Sequence, residues 1–142
     1  MPSVHGILET ALYVRDLQRS AEFYQRLLGA EIIADSERLI ALNVAGRGVL
    51  LLFKEGATGE PFATPGGTIP PHRGAGPTHF AFSIASGDVP AWKQFLNEQS
   101  IEIESVVNWP GGAESIYFRD PDENLVELIT PGFWRGVDEL LR

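Results

Sequence analysis

The chain has 142 residues, 44% of them hydrophobic, a formal charge of −8 and no cysteine. That is enough apolar material for one domain or for two small halves sharing a core. Disulfides and thiolate metal sites are excluded. A negative balance without a Lys/Arg cluster argues against nucleic acid, which relies on cationic neutralisation of phosphates, and leaves a small molecule as the expected partner.

The longest apolar run is Val49-Leu50-Leu51-Leu52-Phe53, far short of the roughly 20 residues of a membrane-spanning helix. The start, Met1-Pro2-Ser3-Val4-His5-Gly6, shows no signal-peptide pattern, so a cytoplasmic protein is expected.

In chain order, Ile7 to Val14 alternates like a strand, with Leu8, Thr10, Leu12 and Val14 on one side and Ile7, Glu9, Ala11 and Tyr13 on the other. A helix follows, capped by Asp16, carrying Leu17, Ala21, Tyr24 and Leu28 at helical spacing and ended by Gly29. Three short strands are predicted over Glu31 to Asp35, Arg38 to Val44 and Val49 to Lys54. The stretch from Glu55 to Pro77 holds six Gly and five Pro residues, too many breakers for regular structure, and reads as a linker or a flap over a site.

The order then repeats. Thr78 to Ile84 is strand-like, Asp88 opens a helix with Val89, Trp92 and Leu96, and strands are predicted over Ile101 to Val107, Glu114 to Arg119 and Leu125 to Thr130. Asp120 to Asn124 is the turn of the last hairpin rather than a calcium loop. Phe133, Trp134, Val137, Leu140 and Leu141 predict a short closing helix. The expectation is an α+β fold of two tandem βαβββ modules, residues 5–55 and 78–131, joined by the Gly/Pro-rich loop 56–77 and closed by a helix over 132–142. Each module exposes an apolar sheet face, and together they would complete one curved mixed sheet, a cup.

Laying the modules on each other sets Glu9 against His79 and Leu51 against Glu127. A pseudo-twofold arrangement brings these four positions to the concave face, and three of them are metal-ligand types. Glu127 lies within Leu125-Val126-Glu127-Leu128-Ile129, where a buried carboxylate needs a cation or hydrogen bonds to offset its desolvation. Singly, each residue is more often a solvated or hydrogen-bonded strand side chain; the coincidence of three favours a metal.

Several segments resemble a known superfamily. Leu12-Tyr13-Val14-Arg15-Asp16-Leu17, Ser20-Ala21-Glu22-Phe23-Tyr24 and Leu27-Leu28-Gly29 are similar to the opening of vicinal oxygen chelate proteins, the glyoxalase/bleomycin-resistance/extradiol-dioxygenase superfamily. Gly76-Pro77-Thr78-His79-Phe80-Ala81-Phe82 resembles the strand with the family's central His ligand, and Tyr117-Phe118-Arg119-Asp120-Pro121-Asp122 through Glu127 its final hairpin and Glu ligand. The resemblance implies one divalent ion (Mn, Zn, Ni or Fe) on Glu9, His79 and Glu127, a homodimer, and Lewis-acid chemistry of the lyase, isomerase or thiol-transferase kind on a small oxygen-chelating substrate.

It also implies that Glu9 or Glu127 shuttles a proton. The first ligand is Glu in place of the commoner His, and Leu51 stands where glyoxalase I enzymes carry an acidic ligand. The alternatives are an extradiol-type dioxygenase and a metal-free ligand-binding protein of the bleomycin-resistance type.

Tyr117 matches a tyrosine that lines the substrate pocket in several members, which implies a hydrogen bond from it to a metal-bound oxygen; it reads equally well as a half-buried strand aromatic. His72 offers an acid/base group or substrate contact if its loop folds over the cup, although a surface loop histidine is the blander reading. His5, about 13 Å along the strand from Glu9, stays outside the site. Trp109, before Pro110-Gly111-Gly112, is either a pocket wall or packing.

Overall fold

The structure, a computed structural model, describes residues 1–137. Its elements run β1 (Glu9–Val14), α1 (Leu17–Leu28), β2 (Glu31–Asp35), β3 (Leu39–Val44), β4 (Gly48–Lys54), β5 (Phe62–Thr64), β6 (Gly67–Ile69), β7 (His79–Ser83), a 3₁₀ turn (Ser86–Asp88), α2 (Val89–Glu98), β8 (Ser105–Asn108), β9 (Glu114–Arg119) and β10 (Leu125–Ile129). The chain divides into two compact units, Met1–Gly76 and Pro77–Arg142. Each carries a four-stranded mixed sheet, in the orders β1-β4-β3-β2 and β7-β10-β9-β8. The predicted βαβββ repeat is therefore present, in an α+β fold. Among the described residues no helix is long and apolar enough to cross a membrane.

In the first unit the period-2 alternation sorts the residues between the sheet's two faces. Leu12 and Val14 of β1, Ile40 and Leu42 of β3, and Leu50 and Leu52 of β4 are all buried, together with Ala21, Tyr24 and Leu27 of α1. Removing such side chains from water is the main stabilising term, about 1.5–3 kcal/mol for each fully buried Leu, Ile or Val. Helix α1 starts where the Asp16 side chain accepts the Arg19 N–H at 3.1 Å. It stops at Gly29, whose left-handed φ of 61° suits a residue without a Cβ.

The stretch expected to lack regular structure contains a small antiparallel hairpin, in which β5 and β6 pair Phe62 with Ile69 and Thr64 with Gly67. Gly66 and Gly67 sit at its turn, so the breakers read as disruptive shape a hairpin instead. The last-module strand predicted from Ile101 begins only at Ser105. Ser100 adopts a φ of 58°, and the Ile101 N–H bonds back to the Leu96 carbonyl at 2.9 Å. Buried Ile101 thus seals the end of α2 and is not free to open a strand. The closing helix is not seen over 131–137, which form turns and bends, and the rest of that segment lies outside the described residues.

In the second unit Ile116, Phe118, Val126 and Leu128 are fully buried on one sheet face. The Asp120–Asn124 turn sets where the other face begins. Asp120 Oδ1 accepts the N–H groups of Asp122 and Asn124, each at 2.9 Å. Buried Asn124 then uses its Oδ1 to accept the Thr78 N–H at 2.8 Å and the Thr78 hydroxyl at 3.0 Å. This clamp fixes the chain one residue before His79. Asn124→Ala removes both bonds and leaves the Thr78 N–H without an acceptor, so the folded state is expected to lose about 1–3 kcal/mol, measurable as a lower urea midpoint at unchanged slope.

Candidate metal centre

Strand register gives the repeat a physical form. In the first unit β1 runs parallel to β4 with Glu9 beside Val49 and Ala11 beside Leu51. In the second unit β7 runs parallel to β10 with His79 beside Leu125 and Ala81 beside Glu127. Glu9 and His79 are thus register equivalents, as are Leu51 and Glu127. His79 and Glu127 belong to the second unit and Glu9 to the first, where it is exposed at the start of β1. Among the described residues, neither unit by itself holds a group of three or more His, Asp or Glu side chains suited to a metal.

Within the second unit, two of the expected ligands meet. His79 Nε2 lies 3.2 Å from Glu127 Oε1, with the two side chains 50% and 9% exposed. The other ring nitrogen, Nδ1, is 2.9 Å from the Leu125 carbonyl oxygen. A carbonyl has no proton to give, so Nδ1–H is the donor, and a neutral His79 turns its Nε2 lone pair toward a carboxylate oxygen. Two acceptors at that distance repel unless a proton or a metal cation lies with them. The donor set, imidazole nitrogen plus largely buried carboxylate, suits a borderline divalent ion.

The second carboxylate oxygen is also held. Ser115 Oγ donates to Glu127 Oε2 at 2.5 Å, and Trp109 Nε1 donates to Ser115 Oγ at 2.8 Å. Trp109 packs in turn against Phe133, with ring centroids 4.5 Å apart and the planes tilted by 41°. Trp109 is therefore less a wall than the head of a relay that orients Glu127. Ser115 is the residue that sequence reasoning missed; it lies two positions before Tyr117 on the same strand, and hence on the same face, which is the signal that points to it.

Tyr117 is directly opposite Glu127 in the β9–β10 ladder. Burial pushes its phenol pKa up; the Glu127 charge and hydrogen bond add to the rise, and the Ser115 hydrogen bond works against it. A raised value keeps the phenol protonated at neutral pH, a donor rather than a base. Its ring centroid is 6.3 Å from that of His79.

His72 is in the first unit, where its loop does fold back onto the sheet face of Ala11 and Tyr13. Its Nδ1 is 2.5 Å from the Tyr13 hydroxyl, and its ring packs on Phe53 at 4.8 Å between centroids. Tyr13 is four residues beyond Glu9, about 13 Å along a strand, so His72 and Glu9 serve different ends of that face. His5, in the exposed N-terminal segment, joins neither group.

The family model for the Glyoxalase/Bleomycin resistance protein/Dioxygenase superfamily matches residues 6–128. The metallothiol transferase FosB of Staphylococcus haemolyticus is 30% identical over 128 residues, spanning 89% of this chain and 84% of that protein. The catechol-2,3-dioxygenase of Bacillus subtilis is 28% identical over 136 residues, 90% of this chain and 43% of that protein. Among solved structures, a lactoylglutathione lyase from Agrobacterium tumefaciens superposes with a TM-score of 0.85 at 32% identity, covering 94% of this chain and 99% of that one.

Ser115→Ala leaves Glu127 Oε2 buried without its donor. It is expected to cost about 1–3 kcal/mol of stability, whereas Ser115→Thr, which keeps the hydroxyl, recovers part of the loss in the same thermal-denaturation measurement.

Proposed function

We propose, since the chain belongs to the glyoxalase/bleomycin resistance protein/dioxygenase superfamily, that it is a divalent-metal-dependent enzyme of the lyase, isomerase or thiol-transferase kind, acting on a small substrate that presents adjacent oxygens. The observation that carries this reading is the 3.2 Å approach of His79 Nε2 to Glu127 Oε1, with the far atom of each side chain already pinned. Glu9, the register equivalent of His79, is the proposed third ligand. The lactoylglutathione lyase and metallothiol transferase likenesses support this class of chemistry.

A bound Mn, Zn, Ni or Fe ion would supply a Lewis acid for substrate oxygens. The roles of the chain's own groups follow from their environments. Glu127 is buried and held by Ser115, which suits a fixed anchor. Glu9 is exposed, so it is the freer of the two carboxylates to leave its partner and take a proton. Tyr117, protonated beside Glu127, donates a hydrogen bond to a substrate oxygen. His72 is proposed as an acid/base or substrate-contacting group from the first unit. The working form is proposed to be a homodimer.

Metal analysis tests the reading. Protein incubated with Mn, Ni, Zn or Fe(II) is expected to hold about one ion per chain, and the Glu9→Ala/His79→Ala/Glu127→Ala triple variant is expected to hold almost none. Equal and negligible metal in both proteins would replace the enzyme by a binding protein of the bleomycin-resistance type. Ser115→Ala is expected to weaken metal affinity about 10–100-fold, as loss of a ligand's hydrogen-bond partner commonly does.

A second reading, an extradiol-type dioxygenase, is favoured by the Tyr117 donor beside Glu127 and by the catechol-2,3-dioxygenase likeness. It requires oxygen uptake by anaerobically prepared, Fe(II)-loaded protein on addition of a catechol. Absence of uptake in fully loaded protein removes this reading and leaves the first.

A further inference from the structure

The first unit contains a second pair of chemistry-bearing side chains, Tyr13 and His72, in direct hydrogen bond. The loop that brings them together is built for the purpose. The His72 N–H donates to the Thr58 carbonyl at 2.9 Å, and the hydroxyl of buried Thr58 donates to the His72 carbonyl at 2.6 Å. Gly74 makes room for the return path, since a Cβ there would collide with the Tyr13 ring. Phe53 backs the pair, its ring centroid 5.8 Å from that of Tyr13 and 4.8 Å from that of His72.

We infer that Tyr13 and His72 form a donor site for a negatively charged ligand oxygen, a carboxylate or enolate-like group, in which His72 Nε2–H makes the contact and Tyr13 positions it. With the Tyr13 hydroxyl donating into Nδ1, the proton of a neutral imidazole sits on Nε2. That nitrogen has no hydrogen-bond partner among the described residues.

A cation lies on the same aromatic support. The Arg38 guanidinium carbon is 5.5 Å from the Phe53 ring centroid and 4.4 Å from that of Phe62. Among the described residues no carboxylate pairs with it, and its buried Nε has no acceptor. A guanidinium without a counter-ion favours a ligand that carries negative charge. The inference deepens the role proposed for His72 and rests on that role, but it does not depend on a metal.

The test therefore uses chelator-treated protein labelled with ¹⁵N, at a pH of about 8 where an ordinary imidazole is neutral, with acetate as the probe. Long-range ¹H–¹⁵N spectra are expected to show His72 Nε2 protonated and Nδ1 unprotonated but hydrogen-bonded. Acetate is expected to shift the Nε2 resonance saturably. Tyr13→Phe should move the Nδ1 signal to its unbonded position while the His72 amide stays protected by Thr58. Tyr13→Phe and Arg38→Gln should each weaken acetate binding about tenfold, the order of one charge-assisted hydrogen bond.

A proton found on Nδ1 in the wild type, or an acetate response that is absent there or unchanged in both variants, would overturn the inference. The tautomer reading needs no variant, so a substitution that fails to fold still leaves a decisive result. Because metal is removed, loss of metal binding in the triple variant and loss of this donor site are separate outcomes.

Discussion

A carboxylate in the middle of an otherwise apolar strand is the constraint around which the second unit is arranged. Glu127 is 7% exposed between Val126 and Leu128, both fully buried. An ionised group in that position costs several kcal/mol unless its oxygens are matched. One oxygen is matched by Ser115, with Trp109 behind it; the other faces His79, with the Leu125 carbonyl behind the ring. Each contact restricts a rotamer, and the four together hold an imidazole nitrogen and a carboxylate oxygen 3.2 Å apart, the arrangement that the proposed metal site would use. Preorganisation of this kind is what gives a metal site affinity, because little ordering is left to be done on binding.

The register that makes these contacts possible is set one step earlier in the chain. The Asp120–Asn124 turn holds its own backbone through Asp120 and then holds Thr78 through Asn124. A slip of one residue in β7 would turn His79 away from Glu127 and bring Phe80 to its place, since side chains alternate between faces. The polar network around the turn thus has a consequence for the site as well as for stability.

The first unit has the same strand order but spends its equivalent positions differently. Leu51 takes the place that Glu127 has in the second unit, and the space on that face is given to Tyr13, Phe53 and the returning His72 loop. Duplicated topology with divergent side chains lets one unit hold a His–Glu pair and the other present aromatic and hydrogen-bonding groups. The chain's relatives include proteins named as a metallothiol transferase, a lactoylglutathione lyase and a catechol-2,3-dioxygenase, and a common scaffold with different side chains at such positions is compatible with all three.

The sequence by itself determined the repeat, the α+β class, most strand and helix positions, and the register equivalence of Glu9 with His79 and of Leu51 with Glu127, because these follow from period-2 and period-3.6 patterning and from caps such as Asp16 and Gly29. It did not determine the β5–β6 hairpin, since Gly and Pro mark both turns and structureless linkers. Nor did it set the late start of β8, which depends on Ile101 sealing a helix end. Only tertiary structure decided that Ser115 and Trp109 hold Glu127, that the Leu125 carbonyl fixes the proton on His79, and that Tyr13 meets His72 across 59 positions of sequence separation. Those contacts are made by side chains that no local pattern distinguishes from packing, and their partners are known only once strands from distant parts of the chain lie side by side.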